Sequence, residues 1–541
     1  MKKRFLAALM ACMMITSLLT ACGSLKKDEA KTVKLDPDNP VTLKVWHYYN
    51  GNQQATFDKL LEKFNSTVGK EQGIYVEGYG QGSVADLDKA LTSSVNEEVG
   101  AEDMPDIFST YADTAYSIQK KGKLADLSPY FTKKELSKYV DSYIKEGYLN
   151  NDKKLYLLPV AKSTEAMLLN TTDWEPFAKA MKVTTDDLKT TEGITKVAKK
   201  YYEWTDAKTP NTPNDGKAFY GRDSMSNYFV IGMKQMGQEL FRVKDGKVTV
   251  NVDKNSIKRL WENYYVPYVS GYFASYGRFR SDDVKTGNII AYTGSTSSAF
   301  YFPDKVEEDK GSHKIDYKVL EAPIMKGGKN YKVQQGAGMA VTKSDDKHEY
   351  AATVFLKWFS KKKQNLEFVC ESSYLPVLKE ANNMKSVNQM IKDKKIKVDD
   401  KTYDCLKNTL DNFDKTKFYT TKTFKNGYSM RKVLDYNLSD QATADKAAID
   451  KAIKAGASRE SVLKQYTSDK NFETWYQGFC SALEKAQEAN ESFIVTGETE
   501  REKEEIIIAD HVNTDACNHI DPGEYTVFDT CTERDQEESG R

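Results

Sequence analysis

The stretch Val41-Thr-Leu-Lys-Val-Trp-His-Tyr-Tyr-Asn-Gly-Asn-Gln-Gln54 decides the fold of most of this chain. Apolar and polar residues alternate up to Val45, and a period of two predicts a β-strand. Asn50-Gly51-Asn52 then predicts a turn. Apolar residues follow at the i, i+3, i+4 and i+7 spacing of a helix, namely Phe57, Leu60, Leu61 and Phe64. Strand, loop and helix in this order predict the opening unit of an open α/β sheet.

The end of this strand is a candidate ligand site. In open α/β sheets, ligands bind beyond the carboxyl ends of the strands. Tyr48, Asn50 and Gln53 occupy that end and offer a stacking surface with amide donors and acceptors. Such a set suits a neutral polar ligand such as a sugar. The alternative is that the aromatic residues only pack in the core, which we expect for Trp46 or Tyr49.

The same pattern recurs twice. Residues 73–79 and 104–110 predict two further strands, each followed by a loop and a helix. The three units predict a βαβαβ arrangement with right-handed crossovers. Because parallel strands end at one rim, we expect their terminal residues to lie together there, and these are Tyr48, Asn50, Ser83, Tyr111 and Asp113.

The first 40 residues predict export and anchoring. Residues 1–21 combine a basic start with an uncharged, apolar run, which predicts a signal peptide. Leu19-Thr-Ala-Cys22 resembles a bacterial lipobox, which implies cleavage before Cys22 and lipidation there, with acyl chains such as palmitate. Two acyl chains suffice for stable anchoring. Residues 22–40 then predict a polar tether. The expected location is the extracellular side of the cell membrane.

Composition limits the function classes. The 541 residues carry no net charge, and residues 498–541 hold 14 acidic and 4 basic residues. The body is therefore only mildly basic, which excludes a nucleic-acid partner. Residues 491–541 predict a disordered acidic tail. Within it, His511, Cys517, His519 and Cys531 fit no zinc pattern.

Catalytic and metal signatures are absent from the sequence. It contains no Gly-x-Ser-x-Gly, His-Glu-x-x-His or Walker A motif, so we expect no enzyme, cofactor or metal. His47 is the one histidine near the expected site, and donation to a neighbouring backbone group is the favoured interpretation. Cys370, Cys405 and Cys480 are interpreted mostly as buried thiols, with one disulfide left open.

Several motifs together resemble one protein family. They are Val45-Trp-His-Tyr-Tyr-Asn-Gly51, Pro105-Asp-Ile107, Lys154-Leu-Tyr-Leu-Leu-Pro159, Leu169-Asn170, Ile289-Ile-Ala-Tyr-Thr-Gly-Ser-Thr296, Gly336-Ala-Gly-Met-Ala-Val-Thr-Lys343 and Ser373-Tyr-Leu-Pro376. Their order over residues 40–490 is similar to that in the extracellular solute-binding proteins of carbohydrate ABC transporters.

This resemblance implies a two-lobed, type II periplasmic-binding-protein-like α/β fold. Each lobe is expected to hold an open, mostly parallel sheet flanked by helices, with hinge strands crossing between the lobes. Residues 40–157 and 320–376 are predicted to form lobe 1. Residues 158–319 and 377–490 are predicted to form lobe 2.

The resemblance also extends the candidate site. It implies cleft contacts from residues 162–165 and 293–296. The complete predicted ligand-binding set is Tyr48, Asn50, Gln53, Ser83, Tyr111, Asp113, Lys162, Glu165, Arg222, Tyr228, Ser295, Thr296, Gly336 and Tyr374.

The expected function is capture of a sugar or oligosaccharide by a monomer that delivers it to ABC permease subunits. An alternative is an anionic solute such as glycerol phosphate or a uronate, because arginine suits such groups and Arg222, Arg278 and Arg280 lie near the predicted cleft. The competing interpretation pairs these arginines with nearby aspartates. Two further alternatives are a surface glycosidase-like lipoprotein and a sensor that presents its ligand to a signalling receptor.

Overall fold

The computed structural model describes residues 28–150, 153–244, 246–308 and 311–489. The predicted signal peptide, the predicted lipidation site Cys22 and the acidic tail with Cys517 and Cys531 lie outside the described residues.

The strands, in chain order, are β1 (Val41–His47), β2 (Ile74–Gly80), β3 (Ile107–Thr110), β4 (Leu157–Pro159), β5 (Glu165–Asn170), β6 (Tyr220–Arg222), β7 (Phe241–Lys244), β8 (Lys247–Val250), β9 (Ala291–Ser295), β10 (Lys305–Glu308), β11 (Gly311–Lys314), β12 (Tyr317–Glu321), β13 (Tyr331–Val333), β14 (Gly338–Val341) and β15 (Lys417–Tyr419).

The α-helices are α1 (Gly51–Phe64), α2 (Lys70–Gln72), α3 (Val84–Val95), α4 (Ala112–Lys120), α5 (Lys133–Leu136), α6 (Asp141–Glu146), α7 (Thr171–Met181), α8 (Thr191–Asp206), α9 (Met225–Gln235), α10 (Lys254–Glu262), α11 (Tyr265–Val269), α12 (Arg280–Lys285), α13 (Asp346–Phe359), α14 (Lys362–Ser372), α15 (Met384–Lys394), α16 (Asp400–Leu410), α17 (Gly427–Lys454), α18 (Arg459–Tyr466) and α19 (Asp469–Glu488). A π-helical segment (Asn65–Gly69) extends α1, and short 3-10 helices span Ser128–Tyr130, Thr185–Leu188, Thr296–Tyr301, Lys379–Ala381 and Phe413–Lys415.

The first lobe is built on a five-stranded sheet with the order β2-β1-β3-β14-β4. β1 runs parallel to β2 and β3, and β14 is antiparallel to both of its neighbours. Leu43 and Val45 are buried and Lys44 is exposed, as the alternating pattern predicts. Helices cover the sheet, so that apolar side chains pack on both of its faces. The predicted mostly parallel α/β architecture is confirmed.

The second lobe is built on a four-stranded sheet with the order β12-β5-β9-β6. In this sheet β5 is antiparallel to its two neighbours, and β6 is parallel to β9. The chain passes between the two sheets through residues 160–164, which join β4 to β5. It returns through residues 322–337, which join β12 to β14, and crosses again near β15, which pairs with β13.

The packing differs from the predicted lobe ranges in two places. Strand β12 lies in the second sheet, and Met325 and Val333 belong to the second apolar core, so residues 320–333 were wrongly placed in lobe 1. Val377 and Met390 belong to the first core, so lobe 1 continues past residue 376. Side-chain packing against the sheets decides these boundaries, and a hydrophobic pattern does not show which of two cores a helix joins.

Residues 28–40 are not the free tether that their composition predicts. The Lys31 N–H donates to the carbonyl of Pro129 at 2.7 Å, and Leu35 packs against the first core. The Asp28 carboxylate accepts the N–H groups of Lys133 and Lys134 at 2.9 and 3.3 Å. A polar segment that cannot fold alone is therefore held in place by the surface of the first lobe.

Cys370, Cys405 and Cys480 are free thiols, and the first two are buried. The disulfide left open by the sequence therefore does not form among the described cysteines. No cluster of metal-binding side chains occurs within the described ranges. The helices described here include none that is both long and apolar enough to cross a bilayer.

His47 is a buried side chain of the first core. Its Nδ1 accepts the Tyr49 N–H at 3.2 Å, so it is an acceptor and not the predicted donor. Its ring stacks on that of Tyr49 and meets the edge of Phe57, and Nε2 has no partner within the part of the chain described. Burial lowers the pKa of His47 from 6.5 to about 4 because the charged form is desolvated.

This pKa predicts acid sensitivity of the fold. The unfolded chain gains a proton at His47 below pH 6.5, whereas the folded protein gains it only near pH 4. The free energy of unfolding should therefore fall as the pH decreases through this window, by about 3 kcal/mol from this residue. His47→Asn keeps an acceptor and should flatten the dependence in urea unfolding measured across the window. His348→Asn, at a half-exposed histidine, serves as the control. Equal pH slopes for the native protein and His47→Asn would contradict the assignment.

A polar cleft between the two lobes

A cavity of about 420 Å3 lies between the lobes. First-lobe residues at its wall are Val84, Ala85, Asp88, Tyr111, Ala112, Asp113, Thr114 and Glu146. Second-lobe residues are Ser224, Ser226, Asn227, Val230, Tyr428, Arg431, Lys432 and Asp435, and the connecting segments add Val333, Gln334, Gln335, Thr420 and Thr421. Of the predicted ligand-binding residues, Tyr111 and Asp113 line this cavity directly.

The first-lobe wall of the cavity is formed by residues that follow the carboxyl ends of β2 and β3. Helices α3 and α4 begin directly after β2 and β3, so their first turns lie at the carboxyl edge of the sheet. Tyr111 is the N-cap residue of α4, and Asp113 lies in its first turn. A carboxylate is favoured there by the positive end of the helix dipole.

An ion pair crosses the cleft. Arg431 of α17 donates through Nε to the Asp113 carboxylate at 2.6 Å, and it also donates to the hydroxyl of Thr421. Both side chains of the ion pair are mostly shielded from solvent, with exposed fractions of 25% for Arg431 and 11% for Asp113. The pair therefore joins the first lobe to the second in this structure.

A chain of polar contacts forms the second-lobe wall. Asn227 donates to the Glu165 carboxylate at 2.9 Å and to the Gln335 side chain at 3.0 Å. Gln335 donates to the Ser295 hydroxyl at 2.8 Å. Arg222 lies 3.4 Å from Glu165. The structure thus brings Glu165, Arg222 and Ser295 into one polar network, of which Asn227 and Gln335 are the members that reach the cavity.

Tyrosines cluster at the first-lobe side of the cleft. The hydroxyls of Tyr48 and Tyr374 lie 3.3 Å apart, and Tyr111 interacts electrostatically with both. Burial raises the pKa of the Tyr48 and Tyr374 phenols well above the ordinary value. The hydroxyls therefore stay protonated at physiological pH and remain hydrogen-bond donors.

Four predicted ligand residues are buried in the protein and do not face the cavity. Lys162 pairs with Glu146 at 2.8 Å and donates to the Gly336 carbonyl at 2.7 Å. Tyr228 donates to the Leu260 carbonyl at 2.9 Å, and Thr296 accepts the Thr164 N–H at 3.3 Å. The prediction of direct ligand contact by Lys162, Tyr228, Thr296 and Gly336 is therefore corrected: they brace the crossings and the second lobe.

Three predicted residues remain at the rim, away from the cavity. Asn50 donates to the carbonyls of Tyr48 and Gly82 at 3.2 and 3.3 Å. Gln53 donates to the Ser372 carbonyl at 3.2 Å. Ser83 caps α3 in a capping box with Asp86. Their polar atoms hold loops together, which is the ordinary role of such residues at strand and helix ends.

Helix α17 contributes the residues that the sequence analysis missed. Tyr428, Arg431, Lys432 and Asp435 stand at the i, i+3, i+4 and i+7 positions and line the cavity. This spacing was visible in the sequence as one polar and aromatic helix face. The role of this face at the cleft could not be predicted from the sequence, because a polar helix face is normally exposed to solvent.

Asp88 has an unusual electrostatic environment. Burial raises its pKa to about 7, and the neighbouring Asp113 carboxylate acts in the same direction, against hydrogen bonding by Thr114 and the charge of Lys432. Burial also raises the pKa of Asp435. Asp88 is therefore partly protonated at neutral pH and can donate as well as accept a hydrogen bond.

The described residues also form cavities outside this site. A larger groove of about 920 Å3 is formed by second-lobe residues such as Tyr202, Lys446 and Arg459. A pocket of about 310 Å3 lies where Thr56 of α1 faces Phe300. We take the cavity between the lobes as the candidate site because both lobes and the connecting segments line it.

The arginines that suggested an anionic ligand are engaged within the second lobe. Arg280 forms a buried ion pair with Asp283. Arg222 donates to the Tyr220 hydroxyl at 3.0 Å and lies over the ring of Tyr228. Arg278 is exposed and lies over the Phe279 ring.

Two α/β lobes joined by crossing segments, with a polar cavity between them, define the class of two-lobed solute receptors with the type II periplasmic-binding-protein fold. A family model described as "bacterial extracellular solute-binding protein" matches residues 59–398. The chain belongs to this family. A search of curated proteins found no match.

Several solved structures have the same fold, and the matched region covers nearly the whole of each solved chain. A cyclic alpha-maltosyl-1,6-maltose binding protein from Arthrobacter globiformis is 17% identical with a TM-score of 0.57, over 83% of this chain and 100% of that chain. An ABC substrate-binding protein from Listeria monocytogenes in complex with cycloalternan is 17% identical with a TM-score of 0.55, over 81% and 99%. UgpB from Mycobacterium tuberculosis, in complex with glycerophosphocholine, is 15% identical with a TM-score of 0.54, over 82% of this chain and 99% of that chain. The first two descriptions name binding proteins.

The ion pair between Asp113 and Arg431 gives a prediction about how the lobes are held together. A charged hydrogen bond in a shielded site contributes roughly 1.5–3 kcal/mol. A double-mutant cycle with Asp113→Asn and Arg431→Gln in urea unfolding should give a coupling energy of at least about 1 kcal/mol. The exposed pair Lys407 and Asp411 is the matched control, with an expected coupling of about 0.3–0.5 kcal/mol. Coupling no larger than the control's would show that the pair does not hold the lobes together.

Proposed function

We propose that this solute-binding protein captures a sugar or oligosaccharide outside the cell and delivers it to the permease of an ABC importer. The observation that carries the proposal is a pair of tyrosines at the cavity wall, one from each lobe. Tyr111 and Tyr428 keep 37% and 42% of their surfaces exposed. A sugar ring offers an apolar face for such rings and hydroxyls for the polar groups around them.

The charges of the cavity favour a neutral ligand. Its wall carries four carboxylates, Asp88, Asp113, Glu146 and Asp435, and the cations Arg431 and Lys432. Arg431 is already paired with Asp113. Glu146 is likewise paired with Lys162, and Asp88 is partly protonated. The wall therefore offers no surplus of positive charge to an anionic solute such as glycerol phosphate or a uronate, whereas hydroxyl groups would find acceptors there. We therefore favour a sugar over an anion.

Capture is proposed to proceed by closure of the lobes on the ligand. The wall residues come from both lobes, so a ligand that contacts both binds best when they are close together. Such differential affinity shifts the population towards the closed state. The Asp113–Arg431 pair lies at the same cleft and would favour closure alongside the ligand.

We propose binding without catalysis. A second candidate, a glycosidase, is suggested by Asp88, because a carboxylate with a pKa of about 7 is suited to general acid catalysis. Glycoside hydrolysis needs a second carboxylate as nucleophile or base. Its candidate Asp113 is paired with Arg431, and Glu146 is paired with Lys162. Asp88 is therefore assigned as a hydrogen-bond donor and acceptor for ligand hydroxyls.

The experiment that tests the function is a thermal-shift screen followed by calorimetry. We expect stabilisation by a maltose-type or other oligosaccharide and none by glycerol phosphate, galacturonate or glycerophosphocholine. A ligand at a hundred times its Kd adds about 2.7 kcal/mol to stability. Recovery of the sugar uncleaved after long incubation supports a binding protein, and released shorter sugars would establish the glycosidase instead.

Tyr428 gives a sharper prediction for this site. Tyr428→Ala removes a stacking face and should weaken binding of the sugar found in the screen by at least about 2 kcal/mol, or thirtyfold. Tyr436→Ala is the matched control, because Tyr436 lies on the same helix with 39% exposure but not at the cavity wall. Both variants should keep the ligand-free melting temperature. Equal affinities in the two variants would place the ligand elsewhere.

We also propose that the mature protein is a monomeric lipoprotein on the extracellular side of the cell membrane. The support is the basic start, the apolar run and the Leu19-Thr-Ala-Cys22 motif. A receptor held near its permease would release the captured solute where it is needed.

Cys22→Ala tests the lipid anchor. Without the thiol there is no site for the diacylglycerol, so the variant should appear in the medium or keep its signal peptide. The measurement is fractionation of the producing cells with the mass of the mature protein. Cys480→Ala, which removes a partly exposed thiol of α19, is the control. A Cys22→Ala protein that is processed normally and stays with the membrane would contradict the proposal.

A further inference from the structure

Residues 28–40 are held to the first lobe by several contacts. Asp28 accepts two N–H groups at the start of α5, and Lys31 pairs with Asp346 at 2.7 Å. The Asp36 carbonyl lies so close to Gly73 that a Cβ there would come within 2.3 Å of it. Gly73 also has a φ of 73°. Glycine is therefore required where the segment crosses the surface.

This docking shortens the connection to the proposed lipid anchor. Six residue steps separate Cys22 from Asp28, and an extended chain covers at most about 3.3–3.6 Å per residue. The body is thus held within about 20 Å of the anchored cysteine, measured from Asp28. A free segment up to residue 40 would reach about three times as far.

The protein surface beside Asp28 is suited to lipid headgroups. Lys133, Lys134 and Lys138 are exposed, and the described residues give none of their ammonium groups a partner. Of the neighbouring carboxylates, Glu135 pairs with Lys357 and Asp141 pairs with Lys379. The Asp28 carboxylate is bound by the two N–H groups of Lys133 and Lys134. Basic side chains within a Debye length of an anionic bilayer are attracted to it.

We propose that this face of the first lobe, formed by residues 28–31 and 129–138, lies against the anionic lipid surface. The docked segment and its short connection set both the height and the orientation of the receptor. The inference rests on the proposed lipid anchoring at Cys22. It adds that the anchor orients the protein as well as retaining it.

The test compares the distance of two sites from a bilayer. Fluorophores are attached through encoded azides at Ser137, on the proposed face, or at Lys464 of α18, on the second lobe. The lipidated full-length protein is placed on vesicles of phosphatidylglycerol and phosphatidylcholine that carry headgroup acceptors. Lipidation is first verified by mass, so that failure of the anchor is seen separately from failure of the orientation.

We expect more energy transfer from position 137 than from position 464. Inserting about 20 Gly and Ser residues between Lys27 and Asp28 provides a flexible connection and should remove that difference. Equal transfer from the two positions in the native protein, or no effect of the insertion, would overturn the proposed orientation.

The lysines are tested in the same way. Replacement of Lys133, Lys134 and Lys138 by Gln should reduce transfer from position 137 on the phosphatidylglycerol vesicles but not on phosphatidylcholine alone. Gln at the exposed Lys451, Lys454 and Lys470 of the second lobe is the matched control. An unchanged signal with the first set, or equal loss with both sets, would overturn the headgroup contact.

Discussion

The crossing between the lobes depends on a buried ion pair. Lys162, only 1% exposed, sits in the first crossing segment. It pairs with Glu146 of the first lobe and donates to the carbonyl of Gly336 in the return segment. Removing one partner of such a pair would leave a buried charge, which costs about 3–5 kcal/mol. Two crossing segments and a first-lobe helix therefore share one electrostatic contact, and the relative position of the sheets depends on it.

This bracing leaves the cleft free for binding. Lys162, Ser163 and Thr164 of the first crossing bond to the backbone of the return segment. The wall of the cavity, by contrast, presents tyrosine faces, amides and carboxylates with room for a ligand. Asp113 and Arg431 are the exception, because they contact each other across the cleft. In the proposed closure, the two sheets and the braced crossings keep their structure and the distance between the two walls changes.

The fold was largely predictable from periodicity. Alternation in β1 and helical spacing in α1 are local properties of the chain, and the order of such units predicted the mostly parallel sheets. The site was predictable only in part. Tyr111 and Asp113 follow a strand directly, so the rule for strand ends found them. Lys162 and Thr296 carry polar groups that could serve a ligand or the protein itself, and only packing distinguishes those roles.

The sequence by itself determined the two α/β lobes, the family resemblance and the first-lobe rim of the cleft, because each depends on short-range patterns. Tertiary structure alone decided three other matters. It placed α17 at the cleft more than 300 residues after Tyr111. It assigned residues 377–390 to the first core, and it docked residues 28–40 on the first lobe. Each is a contact between distant segments, whose energy comes from burial and pairing that no local pattern encodes.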